Sequence, residues 1–413
     1  MADYVEKGVP FFRSKEVIER YKGNAITTEL YITEEHYQTI KDKFGAPEEG
    51  HILLTSVGTL GIPYQVQAND KFYFKDGNLT WFKEFGDAID AEFLFYWLTS
   101  PIAKRKFDEI TIGSTQKALT IVALKGIEID LPPKTIQKQV VKIVKSLDRK
   151  LSNNRGVNQT LEQMAQAIFK SWFVDFDPVK AKMNGEQPEG MDAATASLFP
   201  EKLVESELGL IPEGWEVIDL PNGTIFREGP GILAKDFHEE GIPLIRLAGL
   251  KNGVSLLDGC NYLAPEKVEK KWKHFLLQEG DILLSSSASL GRVAEVTKQS
   301  ENSIAYTGII GFRPIEGVTT RKYLKYFIQS PNFQRQIEAF GVGSVLKHFG
   351  PTHLKKMWIL IPTATIQERF EQLVLALDEK MQSGLEQNQS LANLRDTLLP
   401  KLLSGEIELS AEL

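Results

Sequence analysis

Gly50-His-Ile-Leu-Leu-Thr-Ser-Val-Gly-Thr-Leu-Gly61 returns later in the chain as Gly280-Asp-Ile-Leu-Leu-Ser-Ser-Ser-Ala-Ser-Leu-Gly291. The echo extends in the C-terminal direction at one constant offset of about 230 residues. Gly113-Ser-Thr-Gln-Lys117 matches Gly343-Ser-Val-Leu-Lys347, and Leu131-Pro-Pro-Lys-Thr-Ile-Gln137 matches Ile361-Pro-Thr-Ala-Thr-Ile-Gln367. Ser146-Leu-Asp-Arg-Lys150 matches Ala376-Leu-Asp-Glu-Lys380. Solenoid repeats run at roughly 20–50 residues, so a period this long is a duplicated domain with its connector.

The 413 residues, 42% hydrophobic and 25% charged, are ordinary globular composition, enough for two or three domains. The one cysteine, Cys260, cannot form an internal disulfide, and Met1 to Lys7 lacks the basic start and apolar run of a signal peptide. No apolar run approaches the roughly 18 residues of a membrane span, so a cytoplasmic protein with no membrane partner is expected. A net charge of −7 argues against a globally basic coat for nucleic acid. It leaves room for local basic patches.

Each copy begins with short strands and helices. Ile52 to Ser56, Phe72 to Phe74 and Ile127 to Leu131 read as strands. Ala91 to Leu98 reads as a helix capped by Asp90 and stopped at Ser100-Pro101, where another can start. A long helix then runs from Thr135 to Phe173, with Ile136, Ile143, Val157 and Met164 on one heptad position and Val140, Leu147, Leu161 and Ile168 on the other. Ile366, Leu373 and Leu394, with Phe370, Leu377, Leu391 and Leu398, repeat the seam. Polar breaks fall at the same level, Lys150 with Asn154 and Lys380 with Gly384. At 1.5 Å per residue the first helix would be roughly 58 Å long, and it needs a partner along that length. The expected fold class is α/β: two tandem mixed α/β domains separated by a long antiparallel two-helix coiled coil with pseudo-two-fold symmetry. The expected boundaries are 1–133 for the first domain, 134–173 for its helix, 174–207 for a linker, 208–363 for the second domain, 364–404 for the second helix and 405–413 for a tail.

Two related but non-identical heads on a rod of set length form a ruler for a split, asymmetric DNA site. Basic residues with aromatic or polar neighbours are candidates for the contacts: Lys41, Lys43, Lys104, Arg105 and Lys117 in copy one, and Lys271, Lys273, His274, Arg292, Lys347 and His348 in copy two. A solvated charged face is the competing role for each cluster. The chain holds no phosphate loop, dinucleotide fingerprint, Cys-x-x-Cys, His-Glu-x-x-His or nucleophile elbow. No catalytic residue and no metal site is expected from these motifs.

Leu161-Glu-Gln-Met-Ala-Gln-Ala-Ile-Phe-Lys-Ser-Trp-Phe-Val-Asp-Phe-Asp-Pro178, followed by Ile211-Pro-Glu-Gly-Trp215, resembles the central region of specificity subunits of type I restriction-modification systems. The Gly-Asp-Ile-Leu turn, the Gly-Ser-x-x-Lys loop and the Pro-x-x-x-x-Gln motif are similar to that family's twice-repeated pattern, and the resemblance spans essentially the whole chain. It implies two target-recognition domains, each reading half of a bipartite site in double-stranded DNA across a spacer measured by the helices. It also implies partners: two modification (methyltransferase) subunits using S-adenosylmethionine to methylate adenine, and motor-nuclease restriction subunits using ATP and magnesium, with no cofactor in this chain. Phe169, Trp172, Phe173 and Phe176 are candidates for the modification-subunit interface, or else for packing onto the second helix or domain. Copy one departs from the family pattern in being short at its start. Two competing readings are a duplicated scaffold that never touches DNA, distinguished by the absence of salt-dependent binding, and a stand-alone nuclease built on a cluster such as Pro265-Glu266-Lys267.

Overall fold

A buried glutamine explains where each long helix starts. Gln137 is fully buried; its Nε2 donates to the carbonyls of Ala88 (2.8 Å) and Pro132 (2.9 Å), and its Oε1 accepts the Asp90 N–H at 2.8 Å. Gln367 does the same with Val318 (3.0 Å), Pro362 (3.1 Å) and the Thr320 N–H (3.0 Å). In each copy one side chain therefore ties the first turn of a long helix to the N-cap residue of a shorter one, satisfying backbone groups that burial would otherwise orphan. The long helices run Lys134–Phe173 and Ala364–Leu403. The shorter ones, Ala91–Thr99 and Arg321–Gln329, are capped by Asp90 and Thr320 and stop where Ser100 and Ser330 cap the helices Pro101–Ile110 and Pro331–Ala339.

This computed structural model describes residues 4–409 except 24, 25, 27, 29, 75, 76, 112–116, 252–254, 288, 289 and 341–348. It divides into one unit of Met1–Asn153 with Gln387–Leu413, and a second of Asn154–Glu386. Among the described residues no helix is long and apolar enough to cross a membrane.

In unit 1 the quoted repeat forms the strand Ile52–Thr55, central between Pro63–Gln65 and Leu79–Phe82 and antiparallel to both. Side chains alternate across a strand, and here both faces are covered: Ile52 and Leu54 pack with Phe93 and Trp97, while Leu53 packs with Phe12, Phe72 and Phe74. That is why an unbroken apolar run, rather than an alternating one, sits at this position. The turn that follows closes on Gly61, whose N–H donates to the Thr55 carbonyl at 2.8 Å with a left-handed φ of 74°. A second sheet places Val9–Phe12 antiparallel to Tyr31–Ile32 and parallel to Tyr73–Phe74.

Unit 2 repeats the plan and adds strands to it. Ile282–Ser285 lies beside Val293–Glu295 and Ile309–Pro314, and Thr224–Glu228 extends that sheet to four strands. Ile242–Ile245 is antiparallel to Asn261–Leu263 and parallel to Ile304–Ala305, as in unit 1. Trp358–Ile361 pairs with Glu216–Asp219.

Three expectations change. Ile127 to Leu131 is not a strand: its counterpart Trp358–Ile361 depends on Glu216–Asp219, and unit 1 offers no such partner among its described residues. The stretch from Val174 to Leu208, where helical periodicity fails, carries two short helices, Asp177–Met183 and Ala193–Ser197, and the strand Leu203–Ser206, which pairs with Gly209–Pro212. Asp192 caps the second of these helices through Thr195 and also holds Arg369 of the long helix at 3.0 Å. The seam is narrower than the heptads predict, since Val157, Met164 and Leu394 are 46–47% exposed. A straight helix drifts by about 20° per heptad, and the buried positions move to Ala165, Phe169 and Trp172.

Within unit 2 the long-helix segments are antiparallel: Asn158 donates to the Met381 carbonyl at 2.9 Å, and eleven residues on, Phe169 packs on Phe370, eleven residues back. At the polar break the Asn158 side chain sits against Gly384, where an added Cβ would lie 2.6 Å from Asn158 Oδ1. Within unit 1, Arg395 bonds Asp148 at 3.1 Å, and Val140 and Val144 join Leu399, Leu402 and Leu403 in one core.

Candidate nucleic-acid interface

In unit 2 the sheet register delivers cations onto aromatic rings. Ile245 pairs with Ala305 in parallel, so the next residues, Arg246 and Tyr306, leave the sheet side by side, with Asn261 opposite Leu244 on the other neighbour. The Arg246 guanidinium lies 4.1 Å from the Tyr306 ring centre and 5.5 Å from that of Phe237, and donates to Asn261 Oδ1 at 3.2 Å. The Tyr306 hydroxyl donates to the Ile232 carbonyl at 3.2 Å, which fixes the ring. Nearby, Lys267 stands over Trp272 at 5.6 Å while paired with Asp236, and Arg227 stands over Phe275 at 5.6 Å, with the His274 ring tilted against the same ring at 4.2 Å. Phe237, Trp272, Phe275 and Tyr306 are all half-buried against one small core. Aromatic planes and cations arranged this way suit nucleic acid, which offers phosphates, base edges and base faces.

The sequence candidates fall variously. Arg292 joins this loop end: its N–H donates to Ser285 Oγ, the Ser286 N–H donates to the Gly308 carbonyl at 2.9 Å, and Gly308 follows Tyr306 by two residues. His274 is placed by Phe275, Lys271 is exposed, and Lys273 is held by Glu269 one turn back. Lys347 and His348 lie outside the described residues. In unit 1, Lys104 and Arg105 are exposed on the helix Pro101–Ile110, whose Phe107 lies against Gly61. Exposed Lys117 precedes Ala118, which bridges to Val57 in the same turn, so these three candidates share one end of the unit. Lys41 and Lys43 are elsewhere, on the last turn of Glu34–Phe44, with Lys43 over the exposed Phe44 ring at 5.0 Å. Beside Gly45, Lys83 covers Trp81 at 4.6 Å, and Trp81 donates to His51 Nδ1 at 3.2 Å. Partial burial lowers the His51 pKa, with Glu48 opposing and Lys83 adding to the effect, which favours the neutral ring that accepts at Nδ1.

A family profile for the type I restriction modification DNA specificity domain matches residues 4–163 and again 212–391. This chain belongs to that family. The specificity subunit is similar to the HindI specificity subunit of Haemophilus influenzae, 28% identical over 359 residues covering 76% of this chain and 77% of that one. It is similar also to the MjaIX specificity subunit of Methanocaldococcus jannaschii, 26% identical over 368 residues, 87% and 78% of the two chains. A crystal structure of the S subunit from M. genitalium superposes at 17% identity over 97% and 90% of the chains with a TM-score of 0.48, too loose to carry argument. As a family member the chain is a non-catalytic, DNA-binding specificity subunit that works in a complex with other subunits.

The rings proposed as a docking face are engaged within the specificity subunit itself. Phe169, Trp172 and Phe173 are 3%, 6% and 2% exposed, packed on Tyr323, Phe370, Phe199 and Trp215, and Phe176 meets Trp215 edge-on at 5.7 Å. They close the core of unit 2, the packing role named as their alternative. Two features escaped sequence reading. Lys138, Lys142, Lys145 and Arg149 line a groove on unit 1, a stripe visible in their helical spacing. Arg246 had no such signal, because its ring partners are residues 237 and 306.

Proposed function

We propose that this specificity subunit reads a bipartite, asymmetric site in double-stranded DNA, one half with each unit. In the cytoplasm it would direct two modification subunits that methylate adenine with S-adenosylmethionine, and motor-nuclease subunits that cleave unmethylated DNA with ATP and magnesium. The observation that carries this is the double family match over two units whose strand registers agree while their loop-end residues differ. Agreement of scaffold gives two heads of one kind, and difference at the ends gives two half-sites of different sequence. The chemistry is assigned to the partners, because the family profile that matches this chain twice is that of a DNA specificity domain. Within this chain, Lys41, Lys43, Lys104, Arg105, Lys117, Lys271, Lys273, His274 and Arg292 are the proposed DNA contacts, with Phe176 at the margin of the modification-subunit interface.

The test is methylation mapping of host DNA with and without this chain, its partners present throughout. Loss of the chain should erase adenine marks at one split motif and leave others untouched. Binding to a duplex carrying that motif should weaken steeply with salt, since each phosphate neutralised adds about 0.9 to the slope of log K against log salt. Marks that persist without the chain, or no DNA binding at any salt, would refute the reading.

A further inference from the structure

We propose that Arg246 reads a guanine edge in one half-site, and that its counterpart in the first unit, Arg13, does not read DNA at all. The inference rests on the recognition role above and assigns one residue to it.

The two arginines occupy the same place in the fold. Val9-Pro-Phe-Phe-Arg13 and Ile242-Pro-Leu-Ile-Arg246 each form the central strand of a three-stranded sheet, antiparallel to one neighbour and parallel to the other, and the arginine is the first residue beyond it. Past the arginine the two copies diverge. Arg13 caps the helix Ser14–Tyr21: its N–H donates to Glu16 Oε2 at 2.7 Å and its guanidinium to Glu16 Oε1 at 2.9 Å, and Glu16 is 1% exposed. That arginine is neutralised and held by a buried carboxylate of its own unit.

Arg246 has no such carboxylate. The equivalent third residue on is Gly249, and a side chain cannot be accommodated there, because a Cβ would lie 2.3 Å from the Leu256 carbonyl oxygen. Among the described residues the guanidinium has two aromatic planes and one amide oxygen as partners, and no ion pair. Of its five N–H donors, one is used by Asn261. The plane is fixed by Tyr306, itself tethered to Ile232, and by Asn261 on an adjacent strand. A half-buried, uncompensated cation held in one plane, with a fork of donors left over, is matched by a rigid pair of acceptors. Guanine offers N7 and O6 in the major groove, the commonest partner of arginine in direct readout. A guanidinium fork also matches a phosphate, but a phosphate contact acts on every sequence alike, whereas a base-edge contact acts at one pair, which the test separates.

The test uses the complex of this chain with its modification subunits, comparing wild type with Arg246→Lys, Arg246→Ala and Arg13→Lys. Adenine methylation is mapped over the host genome and duplex binding is measured against single-base-pair changes in the motif. Arg246→Lys and Arg246→Ala should both relax discrimination at one G·C pair in one half of the motif, by about 5- to 150-fold, with the other half read as before. Arg13→Lys should leave both halves of the motif unchanged while lowering the melting temperature of unit 1. Circular dichroism spectra and melts of the two Arg246 variants, compared with wild type, show that a mutant at this place still folds. The proposal is overturned if Arg246→Lys keeps the wild-type motif, or if the arginine variants weaken all sequences equally and lower the salt slope by about one, the signature of a phosphate contact. A wild-type complex that marks no motif would instead defeat the recognition role, and this assignment with it.

Discussion

Replacing Gln367 by methionine isolates the hydrogen bonds that seat the second long helix. The two side chains are close in length and volume, so little cavity forms, while the Thr320 N–H and the carbonyls of Val318 and Pro362 lose their partner in a site only 2% exposed. An orphaned buried polar group costs about 1–3 kcal/mol. The amide's own desolvation, recovered in methionine, offsets part of the total, and a net loss of about 3–5 kcal/mol is expected. For a unit of this size each kcal/mol moves the melting temperature by about 2–4 °C, so unit 2 should melt roughly 6–20 °C lower. Hydrogen exchange read by mass spectrometry separates the units: peptides from residues 203–361 should lose protection, and those from residues 9–110 should not. Gln137→Met should do the reverse, since its three bonds to Ala88, Asp90 and Pro132 are equivalent. A Gln367→Met protein destabilised by less than about 1 kcal/mol would show that the buried amide is not what fixes the helix, and the account of both long helices would fall with it.

Lys322 lies between Glu295 (2.6 Å) and Asp378 in the interior of unit 2, with Lys325 3.6–3.7 Å from the same carboxylates. Lys322→Met should cost about 2–4 kcal/mol, toward the lower end for breaking a buried pair because Lys325 remains. Burial opposes the Lys322 charge, but Glu295 and Asp378 outweigh it and raise its pKa, so its contribution is whole below about pH 10.5 and lost as pH climbs through the folded value; urea melts up to pH 11 should show the mutant's alkaline limb flatter than wild type. Asp192 is held well below the usual carboxylate range by the Thr195 hydroxyl and N–H and by Arg369, so its contribution is present above its ordinary pKa and fades as pH falls below it. The melting-temperature gap between wild type and Asp192→Asn should therefore close steadily from pH 5 to pH 2.5, and a constant gap would count against it. Gly384→Leu should separate the long-helix segments of unit 2 at Asn158, breaking the 2.9 Å bond to Met381 and outweighing the helix propensity gained over glycine, about 1 kcal/mol; circular dichroism melts would reveal a stabilised mutant if the close approach were unimportant.

Local rules made much of the architecture legible. Asp90, Ser100 and Ser330 cap the helices that their positions before apolar or Pro-led runs announce, and the Pro-x-x-x-x-Gln repeat marks the starts of both long helices. Reading stopped where a residue's state is set by a distant partner. Ile127 to Leu131 has strand alternation but no strand to pair with, and Phe169 and Trp172 look like exposed rod-end aromatics until Tyr323, Phe370 and Phe199 arrive from elsewhere in the chain. The recognition surface is harder still. Lysine clusters advertise themselves in sequence, whereas the ring stack on Arg246 is assembled from three separate segments.

Comparison of the two copies separates what holds the scaffold from what can vary upon it. Gln137 and Gln367 each satisfy three backbone groups, so substitution at either orphans several at once and no single compensating change restores them. The strand-end positions carry no such multiple obligation. At one, Arg13 is matched by Glu16 and continues into a helix; at the other, the chain turns tightly through Gly249 and Arg246 rests on its rings with no ion pair among the described residues. A change there alters local contacts and the chemistry presented, while the registers of Val9–Phe12 and Ile242–Ile245 with their neighbours are set by backbone pairing. Duplication followed by divergence confined to such positions yields two heads seated alike on long helices but reading different bases, which is the physical requirement for an asymmetric split site.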